Sequence, residues 1–250
     1  MHPSLTIVLP VYNEAGIARE VATRVTSFAE SHPSYEFLLV DDGSIDATAT
    51  ILCGILEKEG VPNVSLLRYA PHRGKGHAIL FGFQRSSGTF VCFTDGDLAY
   101  PLDYLDRIAA ELKESEIVIG SRSRCRASHG DPNLRRRFLG IGYNWLVRLL
   151  LGLPYADTQA GLKGFRRESA ERLFPLLRST GFSFDVELLF LAKKLGLRIR
   201  EMPVQPTREH SYKTGKVKLL RDSAGMLADL CRIRARDWLG IYHEGPTRTP

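Results

Sequence analysis

The chain has 250 residues, 44% of them hydrophobic and 25% charged, and a formal net charge of +6. That length buries a sizeable core without disulfides, and that composition excludes a disordered, collagen-like or otherwise fibrous chain. The four cysteines, Cys53, Cys92, Cys125 and Cys231, are at least 33 residues apart and form no CxxC. This excludes a zinc ribbon or a thioredoxin-type motif and suits free thiols in a reducing compartment.

No secretory signal is expected, because residues 1–4 lead straight into an apolar, β-rich run over 5–9 that Pro10 ends. A helix is expected over 14–30 and a strand over 36–40, running into Asp41-Asp42-Gly43-Ser44. Ser44 or Asp46 is placed to cap the next helix, which continues to about Lys58. A strand over 64–69, a helix over 74–86 and a short buried strand over 89–93 follow, the last ending at Thr94-Asp95-Gly96-Asp97. Pro101 opens a helix at the first-turn position that proline favours, and 116–119 is the next strand. The second half is more helical: a basic helix over 132–151, a short strand over 161–165, helices over 167–177 and 184–195, a strand over 197–202 and a last helix over 218–236. Alternating strands and helices predict an α/β fold, a doubly wound, mostly parallel sheet with helices on both faces and a helical C-terminal elaboration.

Residues 138–156 hold only Arg148 as a charge, but Gly140, Gly142, Asn144, Gly152 and Pro154 interrupt them and Arg135, Arg136 and Arg137 precede them. An interfacial or core helix is expected there rather than a membrane span. Between Ser121 and Arg148 seven arginines face one acid, Asp131, and a second basic cluster runs over 208–221. Such clusters suit phosphates, anionic lipid or nucleic acid.

The loops over 10–14, 41–44, 95–97 and 120–122 each follow a strand and hold nearly all the unusual polar residues. Ligands of such sheets bind at the carboxyl ends of the strands, so these loops point to one site. Asp95-Gly96-Asp97 is its sharpest feature: two carboxylates two residues apart can converge on a hard divalent cation, Mg²⁺ or Mn²⁺, shared with substrate phosphates. The plainer reading is a polar turn with an aspartate cap. Asp41 or Asp42 can accept hydrogen bonds from a base or ribose, or serve only as turn and cap. Arg73-Gly74-Lys75-Gly76 offers backbone N–H groups and two cations to phosphates, but it is neither a P-loop nor a dinucleotide fingerprint.

LPVYNE (9–14), DDGS (41–44), RGKGHA (73–78), DGD (95–97), GSR (120–122), DTQAGLKGF (157–165) and FDVELLFLAKKLG (184–196) stand in an order that resembles family 2 glycosyltransferases of the GT-A fold. The later motifs are similar to the branch of polyprenyl- and dolichyl-phosphate hexose synthases, closer to the glucosyl than to the mannosyl type. The resemblance implies inverting transfer of a hexose from UDP-glucose or GDP-mannose to a polyprenyl phosphate. It implies a GT-A domain over 1–205, with a nucleotide-sugar half to about 122 and an acceptor half from 123, then a basic segment and amphipathic helix over 206–250. It further implies that Pro10, Tyr12, Glu14 and Asp41 or Asp42 line the nucleotide pocket, and that Asp95, Gly96 and Asp97 hold the metal on the diphosphate. Arg122 would approach the acceptor phosphate, assisted by Arg135 or Arg137, and Asp157 would position the donor sugar or act as base. Lys75 falls among the diphosphate cations, and Arg208 and Lys213 would close over the donor. Mannosyl-type relatives read DADLQHP around the metal, where this chain reads DGDLAYP with Ala99 in place of the glutamine.

A phosphate-monoester acceptor has a second pKa of about 6 and needs no strong base, whereas a hydroxyl acceptor would call on Asp157 or Asp185. The basic helix fits a lipid phosphate, its arginines on the head group and Phe138, Leu139, Trp145 and residues 149–151 toward acyl chain. A peripheral protein on the cytoplasmic face of a membrane is expected, with the last helix a second amphipathic element or a homodimer contact. The rivals are a transferase with a soluble acceptor, a sugar-nucleotide nucleotidyltransferase, a sugar-nucleotide binder without turnover and a basic nucleic-acid module. The last lacks the aromatic–basic alternation of single-strand binders and leaves the strand-end carboxylates unexplained, so nucleic acid is not an expected partner.

Overall fold

The computed structural model describes residues 2–124, 134–181, 183–207 and 219–242; of 134–141, 219–224 and 226 it describes the backbone alone. In chain order the elements are β1 (Leu5–Val11), α1 (Ala15–Ser31), β2 (Tyr35–Asp42), α2 (Thr48–Glu59), β3 (Val64–Tyr69), α3 (Lys75–Phe83) and β4 (Phe90–Phe93). There follow α4 (Tyr104–Glu111), β5 (Ile117–Ser121), α5 (Leu134–Leu151), β6 (Lys163–Arg166), α6 (Arg167–Leu173), α7 (Phe184–Lys194), β7 (Ile199–Pro203) and α8 (Leu219–Trp238).

Seven strands form one sheet in the order β3-β2-β1-β4-β6-β5-β7. All neighbours are parallel except around β6, which runs antiparallel to both β4 and β5. The expected doubly wound sheet is present, with one reversed strand slotted into its middle. Pro10 does not end β1. It lies within the strand opposite Val40. Val8 accepts the Thr94 amide on the β4 side, and Pro10, two residues on, faces the same side beyond the end of β4, so its missing N–H costs no ladder bond.

Side chains alternate across the sheet with period two, and each face has its own core. Leu5, Ile7 and Leu9 of β1 pack with Val21 and Val25 of α1, Leu52 of α2 and Ile108 of α4. Val8 and Val40 point the other way, to Ile79 of α3, Val147 of α5, Leu173 of α6, Leu189 of α7 and Ile233 of α8. Helix α7 is buried from Phe184 through Ala192, which explains a sequence apolar on nearly every side. Cys53, Cys92 and Cys231 are free thiols, and Cys125 lies outside the described residues. Among the described residues no helix is long and apolar enough to cross a membrane.

Candidate active site

The carboxyl ends of β1, β2, β4 and β5 open on the same edge of the sheet. The loop after β1 and the loop after β2 are laced together by side chains. Ser44 Oγ accepts the Asn13 amide at 2.9 Å, Asn13 Oδ1 accepts the Ile45 amide at 3.0 Å, and Thr48 Oγ1 accepts the Glu14 amide at 2.8 Å. Neither Ser44 nor Asp46 is the N-cap of α2: that position is Ala47, which makes no side-chain cap bond, while Asp46, one residue earlier, accepts the Thr48 amide at 2.9 Å and Ser44 serves the neighbouring loop. Tyr12 lies stacked on His72 with ring centroids 3.8 Å apart.

The two adjacent acids of β2 differ in their work. Asp41 accepts the Ser44 amide at 3.1 Å and pairs with Arg68 at 3.3 Å. Asp42 organises the loop that carries Lys75: it accepts from the Tyr69 hydroxyl at 2.6 Å and from the amides of Arg73 and Gly74 at 2.8 and 2.9 Å, and His72 Nδ1 lies 2.9 Å away. Burial first, and then the Asp42 carboxylate, hold the Tyr69 phenol protonated well above its ordinary range. Neither acid is more than 2% exposed, and both are committed to the loop groups that they hold.

Asp95 and Asp97 follow β4. Gly161 faces Asp95 so closely that a Cβ there would overlap its carboxylate, and a Cβ on Gly96 would strike the Pro10 carbonyl. The backbone therefore approaches this carboxylate as only glycine permits. Among the described residues no three His, Cys, Asp or Glu side chains gather into a metal cage. What the strand end offers is the hard oxygen donors of two carboxylates, the Asp95 side chain about one-third exposed, a set that fits a divalent cation completed by phosphate and water. Lys75 Nζ contacts Asp95 Oδ1 at 2.8 Å and Asp185 Oδ2 at 3.6 Å. Burial lowers the Lys75 pKa, but the Asp185 and Asp95 charges together outweigh it and hold the ammonium charged.

Arg122, at the end of β5, makes a bidentate pair with Asp157, Nε to Oδ2 at 2.7 Å and Nη2 to Oδ1 at 3.0 Å. The amides of Arg122 and Gln159 add two bonds to the same carboxylate at 3.1 Å each. Burial pushes Asp157 upward, yet the hydrogen bonds and charge of Arg122 prevail and hold it below the usual carboxylate range. Burial above all, with smaller effects from the charges of Arg122, Asp95, Asp157 and Lys75, holds the Tyr100 phenol protonated well above its ordinary range. Beside the pair, the buried Ser121 Oγ, Thr158 Oγ1 and Gln159 Nε2 have no hydrogen-bond partner among the described residues.

The sequence reading placed no partner on Asp185. It is the partner of the fully buried Lys163, at 2.6 Å. Burial is the largest influence on Lys163 and, against the charge and hydrogen bond of Asp185, the net shift of its pKa is downward. Glu187, wholly buried, accepts the Arg178 and Ser179 amides at 2.9 and 2.6 Å and is met by Arg236 and Tyr242 at 3.0 and 2.6 Å. The signal for both was a pair of acids inside an otherwise apolar helix. Arg208 and Lys213 lie outside the described residues, as do the side chains of Arg135 and Arg137.

The mostly parallel seven-stranded sheet, with acids at the carboxyl ends of its strands, has the fold of a GT-A glycosyltransferase. The fold agrees with glucosyl-3-phosphoglycerate synthase from Mycobacterium tuberculosis, at a TM-score of 0.64 and 18% identity over 98% of this chain and 83% of that one. The same enzyme in complex with Mn²⁺, UDP and glucosyl-3-phosphoglycerate gives a TM-score of 0.62 at 17% identity, covering 98% and 82%. The model of Glycosyl transferase family 2 matches residues 6–174, and the chain belongs to that family. The protein is therefore a glycosyltransferase, which sets aside the nucleotidyltransferase reading. Among its relatives, the dolichyl-phosphate beta-glucosyltransferase of Dictyostelium discoideum is 33% identical over 251 residues, 95% of this chain and 76% of that one. The proteins of the same name from Saccharomyces cerevisiae and Homo sapiens are 30% and 31% identical, over 96% and 98% of this chain and 77% and 79% of theirs.

Proposed function

We propose that this protein transfers glucose from UDP-glucose, with inversion at C1, to a polyprenyl phosphate of the dolichyl type at a membrane surface. The observation that carries the reading is a pair of ion pairs at neighbouring strand ends, Lys75 with Asp95 at 2.8 Å after β4 and Arg122 with Asp157 at 2.7 Å after β5, two acids and two cations where a diphosphate and a phosphate have to be brought together. The names of the relatives support glucose and the lipid acceptor. UDP-glucose and Mn²⁺ in a complex of the M. tuberculosis enzyme support the nucleotide and the metal.

Breaking the C1–oxygen bond leaves negative charge on the departing diphosphate. A divalent cation held by Asp95 and Asp97 would supply Lewis-acid stabilisation of that charge. Lys75, beside Asp95, adds a positive charge on the same side. Arg122 is fixed by Asp157 in a single orientation and keeps guanidinium donors beyond the two that Asp157 takes, so it presents a preset cation to the acceptor phosphate. The acceptor phosphate, doubly ionised near neutral pH, attacks without a general base. Asp41, Tyr12, Pro10 and Glu14 shape the nucleotide side, with Asp42 acting through the loop that it holds.

The membrane part of the reading rests on α5. Val147 and Leu151 are buried, and Asn144 and Arg148 bind the carbonyls of Ala156 and Tyr155 at 2.7 and 3.2 Å. Trp145 and Leu149, one turn apart, are 60% and 64% exposed, a stripe that suits an interface.

The test is turnover with polyprenyl phosphate and a panel of UDP- and GDP-sugars, with and without EDTA. Chelator-sensitive glucosyl transfer from UDP-glucose to the lipid is expected. Metal-dependent hydrolysis of UDP-glucose with no lipid product would retain the donor and refute the acceptor, and transfer from GDP-mannose alone would refute the donor.

A further inference from the structure

Lys75 stands between two acids, and only one of them belongs to the strand-end pair. Its Nζ is 2.8 Å from Asp95 Oδ1 and 3.6 Å from Asp185 Oδ2. Asp185 is held from its other oxygen by Lys163 at 2.6 Å, and Lys163, fully buried, also donates to the Ala160 carbonyl at 2.6 Å. The ring of Phe93, the last residue of β4, has both ammonium groups 5.7 Å from its centroid. Charges of opposite sign thus alternate through Asp95, Lys75, Asp185 and Lys163. The loop bearing Lys75 is anchored on both sides of it, Gly74 to Asp42 at 2.9 Å and Gly76 to the Thr180 carbonyl at 2.9 Å.

We propose that Lys75 is a displaceable counter-ion of the metal site: it neutralises Asp95 while no divalent cation is bound and passes to Asp185 when a cation takes Asp95. Asp185, fixed by Lys163, is then a positioning residue that sets metal affinity by offering Lys75 a second seat. The inference rests on the reading of Asp95 and Asp97 as the metal carboxylates. Its physical basis is competition. A carboxylate already 2.8 Å from an ammonium gives up that contact when it accepts a cation, and the cation in turn repels the ammonium. The second seat is within 4 Å already, so the exchange needs a change of side-chain torsions and no movement of the anchored loop. Lys163 holds one Asp185 oxygen at 2.6 Å and so fixes the other toward Lys75, and it shares the carboxylate, so that Lys75 is not drawn permanently away from Asp95.

The experiment is Mn²⁺ binding to the full chain without any donor, followed by the electron paramagnetic resonance of free Mn²⁺ or by calorimetry. Lys75→Met is expected to bind Mn²⁺ about five- to tenfold more tightly than wild type, the worth of one partly buried ion pair. Asp185→Asn is expected to bind it more weakly by a similar factor, because Lys75 then has only Asp95. Asp95→Asn and Asp97→Asn are expected to lose the binding. Wild-type affinity in those two variants would remove the metal reading, and the counter-ion with it. Loss in those two together with unchanged or weaker binding by Lys75→Met would overturn the counter-ion and leave the metal reading intact. If Lys75→Met does not fold, Lys75→Gln replaces it. Unchanged affinity in a folded Asp185→Asn overturns the role given to Asp185.

Discussion

At the scale of single residues, Gly161 and Asp157 carry the site's most exposed assumptions. The three atoms nearest to a Cβ at Gly161 all belong to the end of the Asp95 side chain, so Gly161→Ala is expected to turn that carboxylate aside before it moves the backbone. Mn²⁺ affinity is expected to fall about tenfold or more, with the melting temperature nearly unchanged; a titration beside a thermal melt checks both. Arg122→Ala removes the bidentate partner of Asp157. It is expected to raise KM for the lipid phosphate more than Kd for the donor, and to cost about 1–3 kcal/mol of stability in denaturant, because a buried carboxylate loses two charged donors. The half-exposed guanidinium keeps that cost below that of a fully buried pair. The same pair sets a pH dependence. Asp157 is held below its ordinary value, so its contribution is whole above about pH 4, where the unfolded carboxyl is ionised as well, and is lost as pH falls through the lowered value. Wild type is expected to melt above Asp157→Asn at neutral pH and to lose that margin below about pH 4. A margin that survives acid would remove the ion pair as its source.

At the scale of elements, α7 joins the C-terminal helix to the lysine loop. Its Glu187 takes two amides from the segment after α6 and two side chains from the C-terminal part of the chain, Arg236 of α8 and Tyr242 beyond it. That segment continues to Thr180, whose carbonyl receives the Gly76 amide of α3. Tyr242→Phe deletes one hydrogen bond to a buried charge and is expected to cost about 1–3 kcal/mol in denaturant. Glu187→Ala strands four donors and is expected to cost more. Equal, small losses in both would mean that the chain satisfies these donors elsewhere. This junction was not legible in the sequence. FDVE marked an acid-bearing helix start, but partners 8–9 residues before Glu187 and 49–55 after it come together only through packing. Likewise β6 was expected as a strand, and its direction was not. A four-residue strand has no sequence mark of direction; the route of the chain back across the sheet between β5 and α6 decides it.

At the scale of the whole molecule, apolar surface gathers on the helical half. Trp145 and Leu149 on α5, with Trp238 and Leu239 at the end of α8, are all at least 60% exposed. Replacing Trp145 and Leu149 together by serine is expected to weaken sedimentation with anionic vesicles about tenfold or more while leaving donor binding in solution intact. Unchanged sedimentation would take α5 out of the membrane reading. What the sequence determined by itself is everything local. Period-two apolar runs made the strands, apolar faces made the helices, and turn-forming acids at strand ends marked Asp41–Ser44 and Asp95–Asp97, because backbone preference and burial act over a few residues. The ordered motifs added the family. Only the tertiary structure decided which acid does which work. Asp42 became the brace of a loop 27–32 residues away, Asp157 the clamp of Arg122 across 35 residues, and Asp185 the seat of a buried lysine 22 residues back. A carboxylate's role is set by the charges and donors that packing brings within about 4 Å of it, and those neighbours are distant in the chain.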